Sequence, residues 1–365
     1  MNEIGRNAKM RAVHFSSYKE QEGVHAMSKE ELEKVARAMV GKGKGILAAD
    51  ESAGTIKRRF DSIQIESNES TRQAYRDLLF TTPGIEEAIS GVILFEETLR
   101  TNAKDGTPFP QLLAKRGILP GIKVDKGPVE IPSFPGEVVT EGLDGLRGRL
   151  KEYKELGAKF AKWRAVIAIG DGMPTYTCLK ANGHALARYA ALCQEAGIVP
   201  IVEPEVLLDG NHSIERCQDV IEETLRITFA QLAEQRIYLE GMVLKPSMVV
   251  SGKDNPRQAG VEEVAERTIG ALKRTVPAAV PGIAFLSGGQ SAVSATEHLN
   301  AMQKLGPLPW QVTFSYARAL QDPALKAWKG QDANISAAQK IFGHRAKMNS
   351  AARNGSYSKE MESAS

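Results

Sequence analysis

Lys245 lies inside the run Gly-Met-Val-Leu-Lys-Pro-Ser-Met-Val-Val, residues 241 to 250, whose other members read as the wall of a buried strand. Taking an ammonium out of water is costly, so a buried lysine either pairs its charge or gives up its proton. The neutral amine is a nucleophile toward carbonyl carbon. A lysine at a strand end with its head in water is the plainer reading of this residue alone. Other charged residues occupy similar apolar runs: Asp50 with Glu51, Lys123 with Asp125, Lys162 with Arg164, and Glu203 with Glu205. Alternation with period two puts Lys162 and Arg164, and likewise Glu203 and Glu205, on one side of their strands. Any one of them could be an ion pair at a wet strand end. Three lysines, an aspartate and two glutamates embedded this way are more economically explained by a common site.

The elements that must carry them are eight short apolar runs: 45 to 51, 89 to 97, 119 to 125, 158 to 167, 197 to 206, 238 to 249, 283 to 289 and 311 to 318. Between them the apolar residues recur at helical spacing, as at Leu186, Tyr189, Ala190 and Cys193, or at Val220, Ile221, Leu225 and Phe229. Alternating strand and helix predicts a parallel sheet, and eight such units predict an α/β fold closed as a TIM (β/α)8 barrel. In that architecture the carboxyl ends of all strands meet at one mouth, where residues distant in sequence become neighbours.

Ser28 followed by Glu31 is a capping-box signature, and Leu32, Val35, Ala36, Met39 and Val40 share one face after it. This predicts an extra N-terminal helix that closes the bottom of the barrel. The piece from Gly127 to Gly142, rich in proline and glycine, reads as a surface loop. A last helix is expected from after Trp328 to about Met348. The expected organisation is an extension over 1–27, one barrel domain over 28–348 and a flexible tail over 349–365.

Composition removes several classes of function. With 365 residues, 42% hydrophobic and 25% charged, the chain can bury a large core. Its net charge of +3, from 47 basic and 44 acidic residues interspersed, lacks the basic stripe of a nucleic-acid binder. No run approaches the length of a membrane span and the start has no secretory pattern, so no membrane partner and a cytoplasmic address are expected. Cys178, Cys193 and Cys217 show no paired spacing and read as packing residues. The six histidines, His14, His25, His184, His212, His298 and His344, are scattered without ligand spacing, so neither a metal nor another cofactor is expected.

Eight segments then carry a resemblance: LAADES (47 to 52), GVILFEETL (91 to 99), GIKVDKG (121 to 127), FAKWR (160 to 164), VPIVEPE (199 to 205), LEGMVLKP (239 to 246), FLSGGQS (285 to 291) and FSYARAL (314 to 320). In this order they resemble the strand motifs of class I fructose-bisphosphate aldolase, from about Gly43 to His344. The resemblance implies reversible cleavage of fructose 1,6-bisphosphate into dihydroxyacetone phosphate and glyceraldehyde 3-phosphate through a lysine Schiff base, a step of glycolysis and gluconeogenesis. It implies Lys245 as that lysine, Glu203 as the acid and base of Schiff-base formation, and Asp50 as the base that starts cleavage. It further implies that Lys162 stabilises charge and that Glu205 holds lysine charge and position. An ordinary lysine is neutral in well under one molecule per thousand at neutral pH; burial and a neighbouring cation, for which Lys162 is the candidate, are the means of freeing an amine.

A bisphosphate needs two anion sites. Loops after strands seven and eight of this barrel commonly bind phosphate, which points to Ser287, Gly288, Gly289, Ser315 and Arg318. For the other end the candidates are Ser52, Thr55, Arg59, Lys123, Arg72 and Arg164. The family is usually tetrameric, so a homo-oligomer is expected. Ala53 stands where the family commonly has threonine, and Ala317 where it has glycine. Many members end in a tyrosine that assists proton exchange, whereas this chain ends Ser363-Ala364-Ser365 with Tyr357 its only tail tyrosine. Tail-assisted proton transfer is therefore expected to be absent or altered.

Overall fold

The structure, a computed structural model, describes residues 28–363. Residues 1–27, with the expected extension and His14 and His25, lie outside the described residues. Ten strands follow in chain order: β1 (Gly45–Ala49), β2 (Ile89–Leu94), β3 (Leu119–Lys123), β4 (Gly127–Glu130), β5 (Val138–Glu141), β6 (Phe160–Ile167), β7 (Val199–Val206), β8 (Val243–Leu244), β9 (Gly282–Phe285) and β10 (Gln311–Tyr316). Eight of them close a barrel in the order β1-β10-β9-β8-β7-β6-β3-β2, and every neighbouring pair is parallel. The expected α/β barrel is the observed fold.

The extra helix runs Lys29–Met39, and Ser28 and Glu31 form the reciprocal capping box read from the sequence. Its Leu32, Ala36 and Met39, with Val40, cluster with Ile46, Ile93, Phe160, Val199, Ile201 and Val243 from the strands. The helix therefore closes the barrel floor, and its apolar face is buried against the interior layer rather than against other helices. Burying such side chains contributes about 1.5–3 kcal/mol each.

Three segments differ from the sequence expectation. The sixth run yields only Val243–Leu244 as strand, because Leu239–Gly241 forms a 3-10 turn before it and Pro246, lacking an N–H, stops pairing after it. Lys245 N–H still donates to the Val202 carbonyl at 2.8 Å, which fixes the lysine to β7. The expected loop over 127–142 contains the antiparallel hairpin β4–β5. Its β-branched residues, Val129 paired with Val139 and flanked by Val138 and Thr140, outweigh the proline and glycine that suggested a loop. The last helix runs Ile335–Arg353, past Met348. After it Tyr357 is buried and Glu362 pairs with Arg345 at 2.5 Å, so residues expected to form a flexible tail are held against the barrel helices. Among the described residues no helix is long and apolar enough to cross a membrane.

Candidate active site

β6 and β7 are paired over eight residues, with Arg164 opposite Glu203, while Lys123 of β3 lies opposite Lys162 of β6. This register gathers the embedded residues around a cavity of about 660 Å³ at the barrel mouth. A cavity of that size suits a small metabolite. Asp50, Lys162, Glu203, Glu205 and Lys245 all line it.

One buried chain of charges crosses the site. Asp50 Oδ2 is 2.7 Å from Lys162 Nζ, which is 3.3 Å from Glu203 Oε2, and Glu203 Oε1 is 3.0 Å from Lys245 Nζ. Lys162, Glu203 and Lys245 are each no more than 4% exposed. Glu203 Oε2, although close to Lys162, has no well-directed hydrogen bond, so one buried carboxylate oxygen is left open to a donor or a proton. Burial pushes the Asp50 carboxyl up, but the Lys162 and Lys245 charges outweigh it and hold the group at about 2. Burial likewise pushes the Lys162 ammonium down, and Asp50 and Glu203 more than reverse this, so Lys162 stays charged. Glu205 does not reach the lysines: it pairs with the Arg164 guanidinium, whose backbone N–H donates to Asp125 at 3.2 Å. Lys123 Nζ is 2.7 Å from Asp125 Oδ1.

The anion candidates divide. Ser52, Thr55, Arg59, Lys123, Arg164, Ser287, Gly288, Ser315 and Arg318 line the cavity. Gly289 lies at its edge, where an added side-chain carbon would come within 3.2 Å of Arg318 Nη2. Gly288 and Gly289 adopt φ of +59° and +96°, a conformation that glycine permits. Ser315 Oγ is buried and has no partner among the described residues. Arg72 does not take part: its guanidinium is held by Glu97 at 2.5 Å and it is not in the cavity wall. It stands one helical turn before Arg76 on the same helix, so the two share a face and differ in the carboxylate within reach. Arg76 reaches the buried Glu51 at 2.7 Å, beside Arg59.

Sequence reading missed Arg58, Asp322 and Lys326, which also line the cavity. The last two follow Arg318 at four-residue intervals on the helix Arg318–Trp328, a spacing that puts them on one face. Burial raises the Asp322 carboxyl against the pull of Arg59 and Arg318. Ala317 has φ −102°, outside the left-handed region, so the backbone there asks for no glycine.

Residues 31–365 match the family model described as fructose-bisphosphate aldolase class-I. A probable fructose-bisphosphate aldolase class 1 of Xanthomonas campestris is 58% identical over 91% of this chain and 99% of its own length. The cytosolic fructose-bisphosphate aldolase 5 of Arabidopsis thaliana is 54% identical over 90% and 92% of the two chains. Among solved structures, fructose-bisphosphate aldolase of Plasmodium falciparum, in a complex with TRAP and a small-molecule inhibitor, superposes with a TM-score of 0.89 at 48% identity, covering 90% of this chain and 96% of that one. A barrel of this topology with a buried lysine pair at its mouth, matched along nearly its whole length, belongs to the class I fructose-bisphosphate aldolase family.

Proposed function

We propose that the chain performs its family's reversible cleavage of fructose 1,6-bisphosphate with Lys245 as the Schiff-base residue. The observation that carries this assignment is the buried sequence Asp50, Lys162, Glu203, Lys245, in which one carboxylate touches both lysines. In it Lys245 gives one proton to Glu203, the freed amine adds to the ketone carbon, a second proton moves from nitrogen to oxygen to form the carbinolamine, and Glu203 returns its proton so that this oxygen leaves as water. The resulting iminium accepts the electron pair of the adjacent carbon–carbon bond as Asp50 takes the proton of the hydroxyl on the departing carbon. Glyceraldehyde 3-phosphate leaves, the enamine gains a proton, and hydrolysis of the iminium returns the amine and dihydroxyacetone phosphate. Lys162 keeps its charge throughout and offsets the negative charge that passes between Asp50 and Glu203.

The phosphate nearer the ketone is assigned to Ser287, Gly288, Gly289, Ser315 and Arg318, and the far one to Ser52, Thr55, Arg58, Arg59, Lys123 and Arg164. Glu205 serves as the carboxylate that positions Arg164. The usual tetramer of the family and the cytosolic name of the Arabidopsis relative support a cytoplasmic homotetramer, which sedimentation equilibrium checks. For the chemistry, borohydride reduction in the presence of dihydroxyacetone phosphate is expected to add one mass increment, located on Lys245. Lys245→Arg is expected to lose that adduct and at least about 10⁴-fold in kcat. Adduct on another residue, or retained cleavage in the variant, refutes the assignment.

A further inference from the structure

Arg76, Arg345 and Arg353 are buried arginines, at 4%, 4% and 6% exposure. Arg76 pairs with Glu51 at 2.7 Å and Arg345 with Glu362 at 2.5 Å. Arg353 has no carboxylate partner among the described residues. Its Nη1 lies 3.5 Å from Gln303 Oε1, its Nη2 bonds Gln311 Oε1, and its Nε has no acceptor among the described residues. Amide oxygens and the carboxyl end of its own helix offer only partial negative charge. Burial lowers the guanidinium's affinity for its proton, and no acid opposes this.

That guanidinium borders a cavity of about 580 Å³ whose wall also holds Arg37, Lys42, Gln303, Gln311 and Asn354, and, among the described residues, no carboxylate. Val40 and Gly41 of its wall follow the floor helix, Pro281 precedes β9 and Gln311 begins β10, so it lies at the amino ends of the strands, opposite the mouth. Arg37 is exposed and pairs with Glu33, four residues earlier, at 2.7 Å, a surface pair of little energetic weight. Lys42 is exposed and forms no ion pair among the described residues. Three cations, one of them buried and short of an acceptor, converge on a space large enough for a small metabolite.

We propose that this cavity is a further anion site, separate from the two phosphate positions at the mouth and independent of catalysis, which takes a phosphate dianion, either free or as a small polyhydroxylated ester. The planar fork of Arg353 can grip two phosphate oxygens, Lys42 and Arg37 add charge from the rim, and the amides of Gln303, Gln311 and Asn354 can bond ester hydroxyls.

Calorimetric titration of the full chain with inorganic phosphate and with glycerol 3-phosphate tests this, since neither probe has a carbonyl to react with Lys245. An Arg318→Gln background weakens phosphate at the mouth and leaves the floor site to be read. There, Arg353→Met is expected to weaken one binding equivalent per chain by more than tenfold. In the otherwise unchanged enzyme the same substitution is expected to leave kcat for cleavage within twofold. Equal affinity for the two probes identifies free phosphate as the ligand, and tighter glycerol 3-phosphate identifies an ester. Unchanged titration in Arg353→Met overturns the proposal. Should that variant fail to fold, Arg37→Gln with Lys42→Gln decides: at least fivefold weaker binding supports the site, and unaltered binding overturns it.

Discussion

Asp50 shows how one charged neighbour sets both stability and chemistry. Its folded pKa of about 2 lies below the ordinary 3.8, so its stabilising contribution is complete above about pH 4 and is lost as pH falls through about 2. The shift corresponds to about 2 kcal/mol. Urea unfolding from pH 2 to 6 is expected to show an acid limb in the wild type that Asp50→Asn flattens; parallel limbs in the two proteins would remove Asp50 as its source. The arginines give a second contrast. Arg318 faces the cavity and Arg72 is turned to Glu97. Arg318→Gln is expected to raise KM about 10- to 100-fold through loss of a charge-assisted phosphate contact, and Arg72→Gln to leave KM within twofold. Steady-state kinetics on both variants reads the difference directly.

At the scale of elements, the site depends on strands being close enough for β3, β6 and β7 to share a register. Gly121 of β3 lies against the Phe160 ring of β6, and an added side-chain carbon would come within 2.2 Å of that ring. Phe160 belongs to the interior layer that the floor helix closes. Gly121→Ala is therefore expected to destabilise the barrel by about 1–3 kcal/mol, seen as a lower urea midpoint at unchanged slope. An unchanged midpoint would mean that the ring moves aside without cost. Strand existence was legible because each run is apolar and bounded by polar helices. The ends were less so: the shortness of β8 comes from Pro246 and from pairing geometry, and the β4–β5 hairpin was hidden by Pro128 and the glycines at 127, 136 and 142.

For the whole molecule, the carboxyl-terminal segment is the part where sequence and structure diverge most. Tyr357 N–H donates to Asn300 Oδ1 at 3.1 Å and its hydroxyl to Glu362 at 2.9 Å. Asn300 is near the carboxyl end of the helix Ala292–Gln303, the end remote from the mouth. In this arrangement Tyr357 is placed to fasten the terminus rather than to exchange protons. Ending the chain after Gly355 is expected to lower the melting midpoint by a few degrees, since it exposes a buried tyrosine and leaves Arg345 without its carboxylate, while kcat for cleavage and isotope exchange at dihydroxyacetone phosphate stay within twofold. A large loss of exchange would assign the segment a part in proton transfer.

The sequence by itself determined the eight-unit barrel, the capped floor helix and the residues that could carry charge into the mouth, because burial of a charged side chain in an apolar strand is a local property of the chain. Only the tertiary structure decided which charges meet. Glu203 joins two lysines while Glu205 goes to Arg164, Arg76 reaches Glu51 while Arg72 goes to Glu97, and Arg353 has no carboxylate partner among the described residues at the barrel floor. Pairing depends on strand register and helix phase between residues tens to hundreds of positions apart, and neither quantity is written in the spacing of one segment.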